Sequence, residues 1–216
     1  MRIAFFRRTA AGAAAAPKAQ PQKGRVMTRH AEISDIPDLK ALWAEVFGDE
    51  PEYIELFFNK MFRPEDYVVL CGEDGSIISI AALIPVDLVS DGKQYPVSYL
   101  YGMATKPSLQ GNGYGLQLLD FAAKYCKENG KAGIALQPAG ESVLRFYEKA
   151  GYKPAFTGVR NPNTFVEYPK SFLDFAKDAG YDVPAQDEPQ RSVPGVFLSF
   201  VPKLHPQNAY MPYPLD

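Results

Sequence analysis

The stretch "LQGNGYGLQLL", Leu109 to Leu119, holds three glycines within five residues and continues directly into an amphipathic segment. Glycine costs roughly 0.5–1 kcal/mol relative to alanine inside regular structure, so three glycines this close together require a reason. A glycine-rich loop that leads into a helix exposes unpaired amides at the positive end of the helix dipole, where phosphate binds well. The pattern therefore predicts a phosphate-binding loop, with a purely structural turn as the alternative.

Two familiar phosphate-binding loops do not fit this pattern. A P-loop requires Gly-Lys-Ser/Thr after the glycines, and Gly113-Tyr114-Gly115 lacks that lysine. A dinucleotide-binding turn requires GxGxxG with an acidic residue about twenty positions later, where this chain has "AGIALQ". A third arrangement fits, in which Gly111, Gly113 and Gly115 keep side chains away from a pyrophosphate at the start of a helix.

Segments rich in β-forming residues precede this loop. Two Asp-Gly pairs, Asp74-Gly75 and Asp91-Gly92, separate them, and Asp-Gly between such segments is a strong hairpin signal. The pattern predicts a three-stranded antiparallel meander that follows a short first strand in "RVMTRHAE". The three segments are "YVVLCG" (67–72), "IISIAALIPVDLV" (77–89) and "QYPVSYLYGMAT" (94–105).

Helical spacing of apolar residues predicts two helices before the meander. The first is capped by Ser34 or Asp35 and ends at Gly48. The second runs from Pro51 to about Phe62, and its apolar stripe is either core or the lining of a substrate pocket, with core preferred. That stripe consists of Tyr53, Leu56, Phe57 and Met61.

Further elements follow the glycine loop. A helix from about Gly113 to Asn129 is expected to bury Leu116, Leu119, Ala123 and Cys126. The next strand, at 132–138, is reached by a helical crossover and should therefore lie parallel to its neighbour. The remaining elements are a helix at 141–152 ended by Gly151, another strand, a short helix with a capping box at Ser171 and Asp174 that ends at Gly180, and a strand at 193–201.

These elements predict an α/β fold with a mixed, mostly antiparallel central sheet and flanking helices. We expect one ordered domain over residues 25–203, with an irregular, proline-rich tail at 204–216. Residues 1–24 are low in complexity and are expected to be a disordered leader. A transit peptide is the alternative for this segment, because it is basic, rich in alanine and free of acids.

Composition excludes several classes of function. Six of the 23 basic residues fall in residues 1–25, so the remainder carries 17 basic against 25 acidic groups, which argues against nucleic acid. No stretch approaches the ~18–20 apolar residues of a membrane-spanning helix. Isolated Cys71 and Cys126 are typical of buried, reduced thiols in a soluble cytoplasmic protein. The only histidines, His30 and His205, offer no metal site.

Two motifs together resemble the GNAT family of acetyl-CoA-dependent N-acetyltransferases. "MATKPSLQGNGYGLQLL" is similar to its strand–loop–helix signature, with Gln110, Gly113 and Gly115 at the signature positions. "VLRFYEKAGYKP" resembles its second signature, a Tyr-x-x-x-Gly-aromatic helix end, through Tyr147, Gly151 and Tyr152. The resemblance spans roughly residues 27–156 and looks closest to the aminoglycoside- and polyamine-acetylating subgroup. It implies a GNAT fold with a splayed strand pair.

The resemblance also implies residue roles. Backbone groups of Met103, Ala104 and Thr105 would pair with the pantetheine arm of acetyl-CoA, and an amide near Ala104 would stabilise the oxyanion. Tyr147 would protonate the departing thiolate as general acid, with direct attack by the amine and no metal. The pyrophosphate would be held by Gln110, Gly111, Asn112, Gly113, Tyr114 and Gly115.

Two positions depart from the family pattern. Many members place an asparagine seven residues before the tyrosine to contact CoA, and this chain has Gly140. Many carry a glutamate on the fourth strand as general base, where this strand offers Ser98, Tyr99 and Tyr101. A base acting through water, or from elsewhere in the chain, is the remaining option.

The predicted function is acetyl transfer from acetyl-CoA to an amine of a small molecule, peptide or protein through a ternary complex. The alternative is a module that senses acyl-CoA without turnover, and the resemblance leaves a homodimer open. Five acidic residues on the first two helices either attract a cationic amine or form a solvated face, which is the preferred interpretation. They are Glu45, Asp49, Glu50, Glu52 and Glu55.

Overall fold

The computed structural model describes residues 25–181 and 193–211, and within them a single mixed sheet is flanked by helices. Six of its strand pairings are antiparallel and three are parallel, which confirms the predicted fold class. The helices are α1 (Ile36–Phe47), α2 (Pro51–Met61), α3 (Tyr114–Glu128), α4 (Glu141–Lys149) and α5 (Lys170–Asp178). The strands are β1 (Met27–His30), β2 (Tyr67–Cys71), β3 (Ile77–Ser90), β4 (Lys93–Thr105), β5 (Gly133–Leu136), β6 (Lys153–Thr157), β7 (Thr164–Glu167), β8 (Gly195–Ser199) and β9 (Ala209–Tyr210).

The predicted meander is confirmed in β2, β3 and β4, and β1 adds an antiparallel strand beside β2. Ser90 pairs with Lys93 across a two-residue turn. Its central residues, Asp91 and Gly92, have φ values of +49° and +73°, as a tight hairpin turn of this hand requires. The long β3–β4 hairpin forms the middle of the sheet.

The sheet closes on itself through its longest strand. Its strand order is β1-β2-β3-β4-β5-β8-β6-β9-β7, and β7 returns to pair with the far end of β3, where Asp87 lies opposite Glu167. Strand β9 falls in the segment that was predicted to be an irregular tail, so that prediction is wrong at Ala209–Tyr210. Two strand residues among prolines give no periodic signal. Ala209 is nevertheless fully buried, opposite Phe156.

Strands β4 and β5 separate after a short parallel contact, which forms the splayed pair. Their pairing consists of Ser98 with Ile134 and Tyr99 with Ala135, whereas β4 continues to Thr105. Within this free stretch, β4 contains a bulge at Gly102, whose φ is +57°. A β-carbon at Gly102 would also overlap the indole ring of Trp43, so both backbone conformation and packing require glycine here.

Two apolar clusters cover the two faces of the sheet. One contains Trp43 and Phe57, with Phe172 and Phe175 from α5, and lies under α1, α2 and α5. The other lies under α3 and α4. On α3 the prediction was wrong at Leu116, which is 40% exposed, because it lies about 200° around the helix from buried Leu118. The residues that α3 buries are Tyr114, Leu118, Leu119, Ala122 and Cys126.

Glycine predicts the end of α1 correctly, whereas the polar caps predicted for the starts of α1 and α5 differ from those observed. Gly48 ends α1 in the left-handed conformation, as predicted. The capping box at Ser171 is wrong, because α5 begins at Lys170 and the Asp174 carboxylate binds the Lys170 ammonium at 2.6 Å. Asp35 accepts a hydrogen bond from the amide of Glu32 and so caps the short turn before α1 rather than α1 itself.

Within the described residues, each helix is too short or too polar to cross a membrane. Both cysteines are buried free thiols, as predicted. The described chain shows no cluster of three or more histidine, cysteine or acidic side chains that could hold a metal ion.

Candidate active site

The glycine loop presents open backbone at the start of α3. Gly111 and Gly113 have φ values of +82° and +81°, and apart from their chain neighbours no described residue has an atom within 4 Å of where a β-carbon would stand. The first bond of the helix runs from the Gln117 amide to the Gly113 carbonyl at 3.1 Å. The amides at the start of α3 therefore have no partner inside the helix, and the space beside them suits an anion.

Gly115 has a different role from the other two glycines. A β-carbon here would lie 3.3 Å from Cζ of Phe146 and 3.4 Å from Cε of Met103. The close approach of α3 to α4 and β4 is therefore a second reason for glycine at this position, beside the predicted clearance for a phosphate.

The other loop side chains bond to the loop itself. Gln110 donates from its side-chain amide to the Thr105 carbonyl at 3.1 Å and so ties the loop to the end of β4. Asn112 donates to the Leu109 carbonyl at 2.9 Å. The ring of Tyr114 is buried in the cluster under α3. These three residues can therefore offer a phosphate their backbone amides more readily than their side chains.

The end of β4 has one paired edge and one open edge. Ala104 pairs with Ile80 and Thr105 with Ser79 on the β3 side. On the other side, no strand of the described residues pairs with β4 beyond Tyr99. An open strand edge can bind an extended ligand through its backbone groups, as in peptide recognition by strand addition.

Tyr147 reaches this open edge from α4. Its side chain is 6% exposed, and its hydroxyl donates a hydrogen bond to Sδ of Met103 at 3.6 Å. Burial raises the pKa of Tyr147 above its usual range, so the phenol keeps its proton at neutral pH. The structure thereby brings together Tyr147 and Met103, which lie far apart in the sequence.

Gly140, where many family members have asparagine, has the backbone conformation and the space for a larger residue. Gly140 precedes α4 with φ of 166°, an extended backbone that any residue adopts. No other atom lies within 4 Å of its potential β-carbon.

The opposite face of β4 holds a contact that the sequence did not reveal. The hydroxyl oxygens of Tyr101 and Tyr53 lie 2.9 Å apart, joining β4 to α2. Helical spacing assigned Tyr53 to an apolar stripe. Its hydroxyl, which the Leu, Phe and Met side chains of that stripe lack, was the only sign of a polar contact. Ser98 instead faces α3, where its Oγ accepts a hydrogen bond from Sγ of Cys126 at 3.4 Å.

Comparison with known proteins fits this geometry. The sequence model described as "Acetyltransferase (GNAT) domain" matches residues 27–155, and the chain belongs to this family. No curated protein sequence matches the chain. Its fold and family thus define a GNAT acetyltransferase domain.

Several solved structures share the fold. A GCN5-related N-acetyltransferase from Anabaena variabilis is 21% identical with a TM-score of 0.55, over 61% of this chain and 32% of its own. This chain therefore spans about a third of that relative's length. The YhbS protein of Escherichia coli, a GNAT family N-acetyltransferase solved in complex with CoA, is 18% identical with a TM-score of 0.54 over 72% and 96% of the two chains. A GNAT family acetyltransferase from Brucella melitensis, in complex with acetyl-CoA, is 18% identical with a TM-score of 0.53 over 68% and 98%.

Proposed function

We propose that this protein transfers the acetyl group of acetyl-CoA to an amine of a small molecule or peptide, with Tyr147 as general acid. One observation carries the proposal: the Tyr147 hydroxyl donates a hydrogen bond of 3.6 Å to the sulfur of Met103, a residue on the open edge of β4. A thioester sulfur bound along the same edge would lie within the same reach. The family membership and the relatives solved with CoA and acetyl-CoA support this cofactor.

The cofactor would lie along two backbone surfaces. The amides of residues 110–115 would hold the pyrophosphate at the start of α3, and the open edge at Met103, Ala104 and Thr105 would hold the pantetheine arm. The Thr105 carbonyl already accepts from Gln110, so this end of the edge is fixed before a ligand binds.

The reaction then develops two negative charges, one on the oxyanion and one on the departing thiolate, and both need stabilisation. As the amine attacks the thioester carbonyl, a C–N bond forms, and an amide near Ala104 would stabilise the developing oxyanion. When the C–S bond breaks, Tyr147 gives its proton to the thiolate and later recovers one from solvent. Holding both reactants in one complex supplies much of the rate.

A module that senses acyl-CoA is the second candidate. One observation favours it: β4 carries no carboxylate, and Ser98, Tyr99 and Tyr101 stand where a general base would be expected. Kinship with the aminoglycoside- and polyamine-acetylating subgroup, a cytoplasmic location and a homodimer remain further parts of the proposal.

An acceptor panel separates the two candidates. Acetyl-CoA affinity is measured by calorimetry, and release of the CoA thiol is followed with alkylamines, aminosugars and lysine-containing peptides. We expect binding together with turnover of at least one amine. Tight binding without turnover across the panel would support the sensor, and absence of binding would contradict both candidates.

A further inference from the structure

Two tyrosine hydroxyls meet on the face of β4 that lies away from Tyr147. Tyr101 is on β4, directly before the bulge at Gly102, and Tyr53 is on α2. Their hydroxyl oxygens are 2.9 Å apart, and both residues are half-buried rather than sealed in the core. A polar contact of this kind stands out in a cluster that otherwise consists mainly of Phe, Trp and aliphatic side chains.

The bulge at Gly102 places the side chains of Tyr101 and Met103 on opposite faces of β4. Side chains alternate along a strand, so Tyr101 faces α2 while Leu100 faces α3. The extra residue at the bulge shifts this alternation, and Met103 therefore faces the α3 and α4 side, where it meets Tyr147. The open edge of β4 thus has a proton donor on one face and a hydroxyl pair on the other.

Acyl transfer requires groups on both faces of β4 to reach the reacting carbon. The entering nitrogen and the departing sulfur are different substituents of one carbon, so the amine must arrive from a side that the acid does not occupy. We propose that the Tyr53–Tyr101 hydroxyl pair is the binding site of the acceptor amine, and that it accepts an amine proton during transfer. This inference rests on the proposed acetyltransferase function and names the acceptor half of the same site.

The hydrogen-bonding capacity of the pair fits this role. Each phenol has one proton and two lone pairs, and one proton is used between the partners, so one O–H and several lone pairs remain for a ligand. Burial raises the pKa of Tyr53 and of Tyr101 above the usual range of about 10, so both are neutral. The pair therefore binds the amine and relays its proton as two neutral phenols, and neither tyrosine is a phenolate in the resting enzyme.

The proton balance of the step is complete. The ammonium form of the acceptor first loses one proton to water, and the neutral amine attacks the thioester. As the C–N bond forms, the nitrogen gives a second proton to the pair at Tyr101, and a proton leaves the pair from Tyr53 to water. The C–S bond breaks, the thiolate takes its proton from Tyr147 on the other face, and Tyr147 recovers a proton from solvent.

The carboxylate of Asp49, which is linked to Tyr101 through the Trp43 ring, favours a cationic acceptor. The Trp43 indole donates to Oδ2 of Asp49 at 2.7 Å, and the Trp43 ring contacts the Tyr101 ring at a centroid distance of 5.8 Å. Burial is the main cause of the raised pKa of Tyr53 and of Tyr101, and the negative charge of Asp49 adds a smaller contribution to both. A protonated primary amine would be attracted to this place, and an anionic acceptor would be repelled.

Three single-hydroxyl variants test the assignment. Tyr101→Phe and Tyr53→Phe each remove one half of the pair. Tyr67→Phe is the matched control, because Tyr67 belongs to the same aromatic cluster and its buried hydroxyl has no partner among the described residues. Each is assayed with butylamine, putrescine, phenethylamine and a lysine-containing peptide, and its acetyl-CoA affinity is measured separately.

We expect Tyr101→Phe and Tyr53→Phe to lower kcat/KM for the amine at least tenfold, mainly through KM, while acetyl-CoA affinity changes less than twofold. Asp49→Asn should raise KM for the amine severalfold. If both Phe variants behave like Tyr67→Phe while the wild type turns over, the amine site is wrong and the acetyltransferase function stands. If the wild type binds acetyl-CoA but acetylates none of the amines, both proposals fail. Equal losses for amine and acetyl-CoA would indicate a structural role and also overturn the site.

Discussion

The Tyr147 hydroxyl and the Met103 sulfur form a hydrogen bond of 3.6 Å that joins α4 to the open edge of β4. Thioether sulfur is a weak acceptor, so this bond is readily exchanged for one to another acceptor. A CoA sulfur bound along β4 would compete for the only proton that Tyr147 has. Under the proposed mechanism, this contact gives the direction in which the phenol would deliver its proton.

Removing that proton should affect turnover and spare binding. General acid catalysis contributes about 10²–10⁴-fold, so Tyr147→Phe should lower kcat by that factor, whereas acetyl-CoA affinity should change by less than tenfold. The matched control is Tyr152→Phe, which removes from a ring 5.5 Å away a buried hydroxyl that has no partner in the described part of the chain. Weaker acetyl-CoA binding at unchanged kcat would mean that Tyr147 only holds the cofactor.

A side chain in the glycine loop should abolish cofactor binding. Gly113→Val places a branched side chain in the open space beside the amides of α3, at φ of +81°. The strained backbone alone should cost about 1–2 kcal/mol. Gly75→Val controls for this strain, because Gly75 has φ of +80° and open surroundings in a distant turn. Calorimetry should show acetyl-CoA binding in the control alone, and retained affinity in Gly113→Val would remove the phosphate role.

Restoring the family's asparagine should be tolerated and should strengthen cofactor binding. Gly140 is extended and has free space, and asparagine is a better helix cap than glycine by a few tenths of a kcal/mol. We expect Gly140→Asn to raise the melting temperature slightly and to tighten acetyl-CoA binding severalfold. Gly140→Ala provides the comparison without an amide. Higher stability with unchanged affinity would assign the asparagine to helix capping only.

Gly102, at the bulge, should be highly sensitive to substitution. Gly102→Ala combines a left-handed backbone with overlap on the Trp43 ring, which together should cost about 2–5 kcal/mol. Gly92→Ala, at φ of +73° with no atom within 4 Å, should cost only the backbone part of about 1–2 kcal/mol. Urea unfolding measures both variants. Equal losses would show that Trp43 yields to the added methyl group.

Stability should depend on pH through Asp66. Burial, with a smaller effect of Glu65, raises the pKa of Asp66 to about 6, and Lys131 and Arg63 oppose this shift. The folded state therefore favours the protonated acid, and this stabilisation is complete below about pH 4 and lost as pH rises through 6. Asp66→Asn should accordingly stabilise the protein at pH 8 and have little effect at pH 4. Urea unfolding at both values tests this, and a difference independent of pH would contradict it.

Local rules account for what the sequence predicted correctly. Asp-Gly turns specify the meander because both turn residues adopt positive φ at Asp91 and Gly92, and Gly48 ends α1 for a similar reason. The glycine loop and its place before α3 were also predictable, because chain order and loop chemistry are local properties. The roles of the cofactor-binding residues and of Tyr147 remain predictions.

Tertiary packing decides what the sequence missed. Leu116 and Leu118 have the same hydrophobicity, and only the angle at which α3 meets the sheet buries one and exposes the other. Strand β9 forms because it pairs with β6 on one side and β7 on the other. The two residues of β9 carry no local pattern from which this pairing could be predicted. The Tyr53–Tyr101 contact joins residues 48 positions apart, and no spacing rule connects them.

The ring of strands has a consequence for the order of assembly during synthesis. Strands β6 and β7 are joined through β9, so the last described strand of the chain inserts between two that emerge much earlier. Contacts between distant segments form slowly, because the entropy of closing a long loop is lost before the contacts contribute stabilising energy. We therefore expect the N-terminal meander and α3 to be formed on the ribosome while the aromatic face under α5 stays incomplete. The half of the molecule that would receive the amine would then mature only after residue 210 has left the exit tunnel.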